Sequence, residues 1–223
     1  MLFLASVAFA APLNLYGGLS DAGSVALAPT AFADAAGVAP SLVTGVGLGG
    51  HADLTIGVGG SADWAGTPTG GGLDAVARYG LGDELVLAAH GGVDLTTGSV
   101  VIGPELHWSR SFGIVDVTAN VGWRADASTG ESTAALGVAP EVWLGDRVSF
   151  FVEVDPSLAL TDSDVTASLL VVPGLSANLS EDGAHALCAG VQLPTDSLGD
   201  VSVGVWYSVA FDARAKPTGR QPD

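Results

Sequence analysis

The stretch VSVGVWYSVAF, Val201 to Phe211, alternates with a period of two: Val201, Val203, Val205, Tyr207, Val209 and Phe211 share one face, and Ser202, Gly204, Trp206, Ser208 and Ala210 share the other. Successive side chains of a strand point to opposite sides, so one face here suits an apolar medium and the other does not. IVDVTANVGWR, Ile114 to Arg124, reads the same way. Val115, Val117, Ala119, Val121 and Trp123 point one way, and Asp116, Thr118, Asn120, Gly122 and Arg124 the other. A helix would scatter Asp116, Asn120 and Arg124 among apolar neighbours.

Working outward from these two stretches gives about a dozen strand-like segments of roughly ten residues, the length of a membrane-barrel strand. They begin near Ser24, Val38, Ala52, Gly72, Glu84, Val100, Gly113, Ser132, Arg147, Val165, His185 and Val201. Tight links (GGHAD, GLGDE, SRSFG, LGDRV, LSEDGA) alternate with looser ones (SADWAGTPTGGG, DLTTGS, ADASTGE, DPSLALTDSD). Short turns on one rim and longer loops on the other suit a membrane barrel, with both termini on the short-turn, periplasmic side. The loops from Asp63 to Gly72 and from Asp155 to Asp164 are the places for surface binding. The expected fold is all-β: a closed antiparallel transmembrane β-barrel of about twelve strands, with ten as the alternative. A soluble secreted sandwich competes with it.

Composition favours the barrel. Of 223 residues 48% are hydrophobic and only 14% are charged, yet no apolar run reaches the roughly 20 residues of a spanning helix. Apolar residues dispersed at every second position reconcile the two. Seven basic and 24 acidic residues give a net charge of −17, which repels nucleic acid and excludes it as a partner. The lone Cys188 permits no intramolecular disulfide and no Cys-rich metal site. At the N-terminus an apolar segment runs into Ala8-Phe9-Ala10, a small-x-small site suited to signal peptidase. The domain reading is a secretory signal over residues 1–10, read as truncated at its start, a single barrel over 11–211, and a polar tail over 212–223.

Two stretches place a proline and a glutamate inside strands: VIGPELHWSR, Val101 to Arg110, and GVAPEVWLGD, Gly137 to Asp146. The period puts Ile102, Pro104, Leu106 and Trp108 outside with Gly103, Glu105 and His107 inside. It likewise puts Val138, Pro140, Val142 and Leu144 outside with Ala139, Glu141 and Trp143 inside. Glutamate is tolerated on the polar face, but proline cannot donate to a ladder, so a bulge or missing ladder bond is expected at Pro104 and Pro140. Pro40 and Pro173 mark the same device.

On these grounds the chain resembles the broad family of Gram-negative outer-membrane β-barrel proteins. Ser202, Gly204, Tyr207, Val209 and Phe211 fit that family's barrel-assembly signal, although here DARAKPTGRQPD follows the final aromatic. The resemblance implies outer-membrane localisation, with outer-membrane lipid and the barrel-assembly machinery as partners.

Folding the hairpins on paper gathers the inward charges. With the turn at Ser109 to Gly113 as pivot, His107 comes opposite Asp116 and Asp116 opposite Glu141, giving a lower-lumen cluster of Arg78, Glu84, Glu105, His107, Asp116 and Glu141. Asp74, His90, Arg124 and Glu153 belong to the upper lumen, where Asp74 and His90 read as a structural pair. The cluster suits an ion-pair network plugging a narrow lumen, or a carboxylate-lined constriction that favours small solutes or cations. It also holds the residue types of a hydrolase, His107 with Asp116 or Glu141 and Ser109 or Ser149. The expected function is a non-enzymatic porin-like channel, with a structural or surface-binding barrel and, more remotely, a lipid-modifying enzyme as alternatives. The sequence calls for no metal and no cofactor.

Overall fold

A computed structural model describes residues 22–49, 51–161, 163–181, 184–196 and 200–212. The proposed signal segment and nearly all of the proposed tail lie outside them. Twelve strands follow in chain order: β1 Ser24–Ala33, β2 Gly37–Gly49, β3 Ala52–Asp63, β4 Pro68–Gly80, β5 Leu85–Asp94, β6 Val100–Phe112, β7 Val115–Asp126, β8 Ser132–Trp143, β9 Val148–Leu160, β10 Val165–Asn178, β11 His185–Pro194 and β12 Ser202–Asp212. Each pairs antiparallel with its chain neighbours, and β12 closes the barrel on β1, from Ser24 opposite Asp212 to Ala33 opposite Val203. The expected number of about twelve strands holds, and Asp212 belongs to the last of them rather than to the tail. Closure leaves no free strand edge, so backbone polar groups pair within the wall, as a lipid environment demands.

The period-2 faces appear as read. Outward residues such as Ile56, Leu87, Ile102, Val121, Leu136 and Val203 are exposed around the whole barrel. That apolar belt needs lipid around it. Tyr79, Phe112, Phe150 and Phe211 are exposed towards the rim that carries the chain ends, and Trp64 and Trp123 towards the other rim, the placement of interfacial girdles.

Strand-interior prolines obey one rule. Pro29, Pro40, Pro104, Pro140, Pro156 and Pro173 all face outward, and each keeps pairing with one neighbour while the ladder to the other is interrupted. Pro104 stays in register with Ala89, but the β6–β7 ladder skips from Ile102/Ala125 to Glu105/Gly122. Pro140 faces Val117, while the β8–β9 ladder skips from Val138/Val154 to Glu141/Phe151. Pro40 breaks towards β3 and Pro173 towards β11. In an antiparallel strand a residue's N–H and C=O point to the same neighbour, so a missing donor weakens only that side.

The rims differ from the expected asymmetry. Strands extend into the stretches read as long loops, leaving only residues 64–67 between β3 and β4 and 161–164 between β9 and β10. Pro68 to Gly72 and Asp155 to Leu160 are wall, not surface loop, and this removes most of the proposed binding loops. Several turns on that rim are held by a strand-final aspartate: Asp63, Asp94 and Asp126 each accept backbone N–H groups two to four residues ahead. These Asx turns are tight and local, so part of the acidic charge serves turn formation.

Candidate functional site

Every strand contributes at least one buried inward-facing residue, so the middle of the barrel is filled. The filling differs by side. Across β10, β11, β12, β1 and β2 the inward positions through the membrane are uncharged among the described residues. Phe32, Val172, Cys188 and Trp206 form a buried cluster there with Phe151 of β9, and Ala39 and Leu170 pack against it. Trp206 stacks on Phe32 with ring centroids 6.1 Å apart, and Phe151 meets Trp206 at 6.0 Å. Phe32 lies over Gly204 and Phe151 over Gly174, their directly opposite partners. A Cβ at Gly204 would come within 2.1 Å of the Phe32 ring, and one at Gly174 within 2.2 Å of the Phe151 ring. Only glycine lets these rings lie flat against the wall.

From β3 to β9 the inward face carries charge. Its hub is Glu105 on β6, which sits opposite Ala88 on β5 and Gly122 on β7. Small partners leave space above the wall, and four longer side chains reach in from diagonal or same-strand positions. His90 places Nε2 2.6 Å from Glu105 Oε2, and His107 places Nε2 3.3 Å from Oε1. Asn120 donates to Oε1 at 2.7 Å, and Arg124 donates to Oε2 at 3.4 Å. Glu105, His90, His107 and Asn120 are all buried. A buried carboxylate is tolerable only when so surrounded.

Further charges lie apart from this hub. Arg78 embraces Asp53 bidentately, Nε to Oδ1 at 2.8 Å and an NH2 to Oδ2 at 2.6 Å. Asp53 was missed in the sequence, because it borders the first tight turn and was read as turn chemistry. Towards the same rim, Asp116 accepts the indole N–H of Trp143 at 2.7 Å, and Ser149 donates to Glu141. Asp116 and Glu141 are directly opposite each other, as the sequence suggested. Asp74 and Glu153 are buried on the lumen face, and Asp155, on the same face of β9, was another omission.

The single lower-lumen cluster is therefore corrected to separate sites. The β6–β7 hairpin turns on Gly113 and Ile114 alone, with Phe112 opposite Val115, so His107 faces Asn120 and Asp116 faces Ser111. Asp116 is six residues along β7 from Gly122, the partner of Glu105, or about 20 Å at strand rise. His90 and Arg124, assigned to an upper group, instead join Glu105 and His107. Glu84 is not in the lumen: it accepts the Trp108 indole N–H at 3.2 Å and pairs with Arg110 at 3.4 Å on the half-exposed rim. The constellation considered for hydrolysis does not form, because Asp116 and the Ser149–Glu141 pair lie away from His107 along the strands.

Of the proposed assembly-signal residues, Ser202 and Gly204 face inward on β12, while Tyr207, Val209 and Phe211 face outward. The Tyr207 hydroxyl lies 2.5 Å from His185 Nδ1 on the neighbouring strand. His185, at the start of β11, is thus partly buried against the barrel's outer surface.

The architecture recurs among solved structures. The chain is similar to the NanC porin (TM-score 0.63, 8% identity, covering 84% of this chain and 98% of that one) and to the KdgM porin (0.61, 10%, 83% and 99%). It is also similar to an outer-membrane channel from Pseudomonas putida F1 (0.60, 9%, 88% and 98%). This chain has the outer-membrane porin fold. No family model matches it, and neither does any curated protein. At such low identity the likeness is one of architecture. With the apolar belt, that architecture places this porin-fold barrel in the bacterial outer membrane, and the three neighbours are named as porins or channels rather than as enzymes.

Proposed function

We propose that this barrel is a narrow porin-like channel for small cations, shut in the conformation described, whose path follows the charged wall from β3 to β9. The observation that carries the reading is the imbalance on that wall. Asp53, Asp74, Glu105, Asp116, Glu141, Glu153 and Asp155 face the lumen against only Arg78 and Arg124 as permanent cations among the described residues. A confined ring of carboxylates attracts cations and repels anions. One structure of the KdgM porin has it in complex with disordered oligogalacturonate, a chain of carboxylate-bearing sugars. The acidic lumen here argues against such polyanions and for the opposite sign of solute.

A second reading, a structural barrel with a permanent plug, is favoured by the buried residues on all twelve strands. Reconstitution into planar bilayers under a KCl gradient separates the two. Channel events with a reversal potential on the potassium side support the cation channel. Silence at every voltage supports the plug, and a chloride-side potential overturns the cation reading.

A further inference from the structure

His90, Glu105 and His107 form a group that the charge network alone does not explain. Their ligating atoms, the ring nitrogens and a carboxylate oxygen, all lie within 4.8 Å of one another, and all three side chains are almost wholly shielded from solvent, with 3–6% of their surface exposed. The register builds the site. His90 stands opposite Gly103, one diagonal from Glu105 across the β5–β6 ladder, and His107 follows Glu105 on the same face of β6. Both imidazoles thus point Nε2 at the same carboxylate, one at each oxygen.

Buried polar atoms in the trio and beside it lack hydrogen-bond partners. Neither ring nitrogen of His107 has a hydrogen-bond partner, its approach to Glu105 being electrostatic only, and Asp74 Oδ1 is also unpartnered. Burying an imidazole with both nitrogens unsatisfied is costly, and a metal ion bound at Nε2 would offset that cost. The carboxylate is already oriented from outside the trio by Asn120 and Arg124, as outer partners orient a ligand. Asp74 lies one diagonal from His90 across the β4–β5 ladder, where a carboxylate beside a ligating histidine commonly sits.

We propose that His90, Glu105 and His107 bind a divalent first-row transition-metal ion inside the lumen. Two imidazoles and one carboxylate suit zinc, nickel or copper, whereas calcium and magnesium demand oxygen-rich shells. Three protein ligands leave one or more positions open to water, the arrangement of an exchangeable site rather than a closed structural one. The Arg124 guanidinium lies 3.4 Å from Glu105 Oε2 and opposes a second positive charge, so affinity is moderate and exchange is favoured. The site stands whether or not the lumen conducts, because binding needs only access to these three side chains.

The test uses the full chain refolded in detergent, with zinc chloride added either after folding or during it, and calorimetry with metal analysis as the readout. One zinc per barrel is expected, undisplaced by excess magnesium or calcium. Affinity should fall roughly tenfold or more in H90Q and in H107Q and stay unchanged in H185Q on the outer surface. Should a lumen variant fail to fold, X-ray absorption at the zinc edge of the unmodified barrel answers instead, with two imidazole ligands expected. No zinc bound under either protocol, or zinc bound equally by H90Q and H107Q, or a spectrum with no imidazole, would overturn the proposal.

Discussion

The wall formed by β10, β11, β12, β1 and β2 is filled by rings lying over glycines, whereas the wall from β3 to β8 is filled by charges held in hydrogen bonds, with β9 carrying both Phe151 and Glu153. The two walls close the same lumen by different physics. Rings pack without strict directionality and gain from dispersion and removal from water. Charges close a space only where register brings a donor to each acceptor, and they remain able to exchange those partners for a passing ion.

The largest effect expected from breaking this comparison lies on the apolar side. Trp206 is 1% exposed and touches both other rings, so Trp206→Ala should cost about 3–5 kcal/mol of stability in urea. It should also raise conductance, and an unchanged current with lowered stability would show that the rings are structural only. On the charged side Glu105→Ala removes the shared partner of two imidazoles, Arg124 and Asn120 at once. A loss of about 3 kcal/mol is expected from chemical unfolding, nearly as large although a smaller side chain is removed. Asn120→Ala removes one hydrogen bond to a buried carboxylate and should cost about 1.5–3 kcal/mol. The smallest effect belongs to Arg110→Ala, which breaks the half-exposed rim pair with Glu84 and should change stability by less than about 1 kcal/mol. A rim effect as large as that of Asn120→Ala would mean that burial does not separate these pairs.

What the sequence made legible was face, and what it hid was register. Alternation in Val115 to Trp123 and Val201 to Phe211 fixes which side chains point inward whatever the pairing partner. The β6–β7 hairpin was read with Ser109 to Gly113 as its turn, whereas the chain reverses at Gly113 and Ile114. His107 thereby moved from Asp116 to Asn120, a shift of four residues along β7. Because four is even, every side chain stayed on its predicted face while the charge partners changed. The trio at Glu105 was hidden for the same reason, since only the register joins His90 to it. Phe32, Phe151 and Trp206 come from β1, β9 and β12 and meet only through closure of the barrel, which no local pattern reveals. The outward prolines were legible, because a missing N–H has the same consequence in any register.

If cations follow the charged wall, one comparison of reversal potentials shows it. The unmodified barrel and the double variant Asp116→Asn, Glu141→Gln are measured in planar bilayers under the same KCl gradient. Both substitutions lie towards the chain-end rim, away from the Glu105 hub, and leave the apolar rings untouched. A potassium-side potential is expected for the unmodified barrel and a shift towards zero in the variant, with assembly preserved. Equal potentials in the two open channels, or a chloride-side potential in the unmodified one, would contradict it.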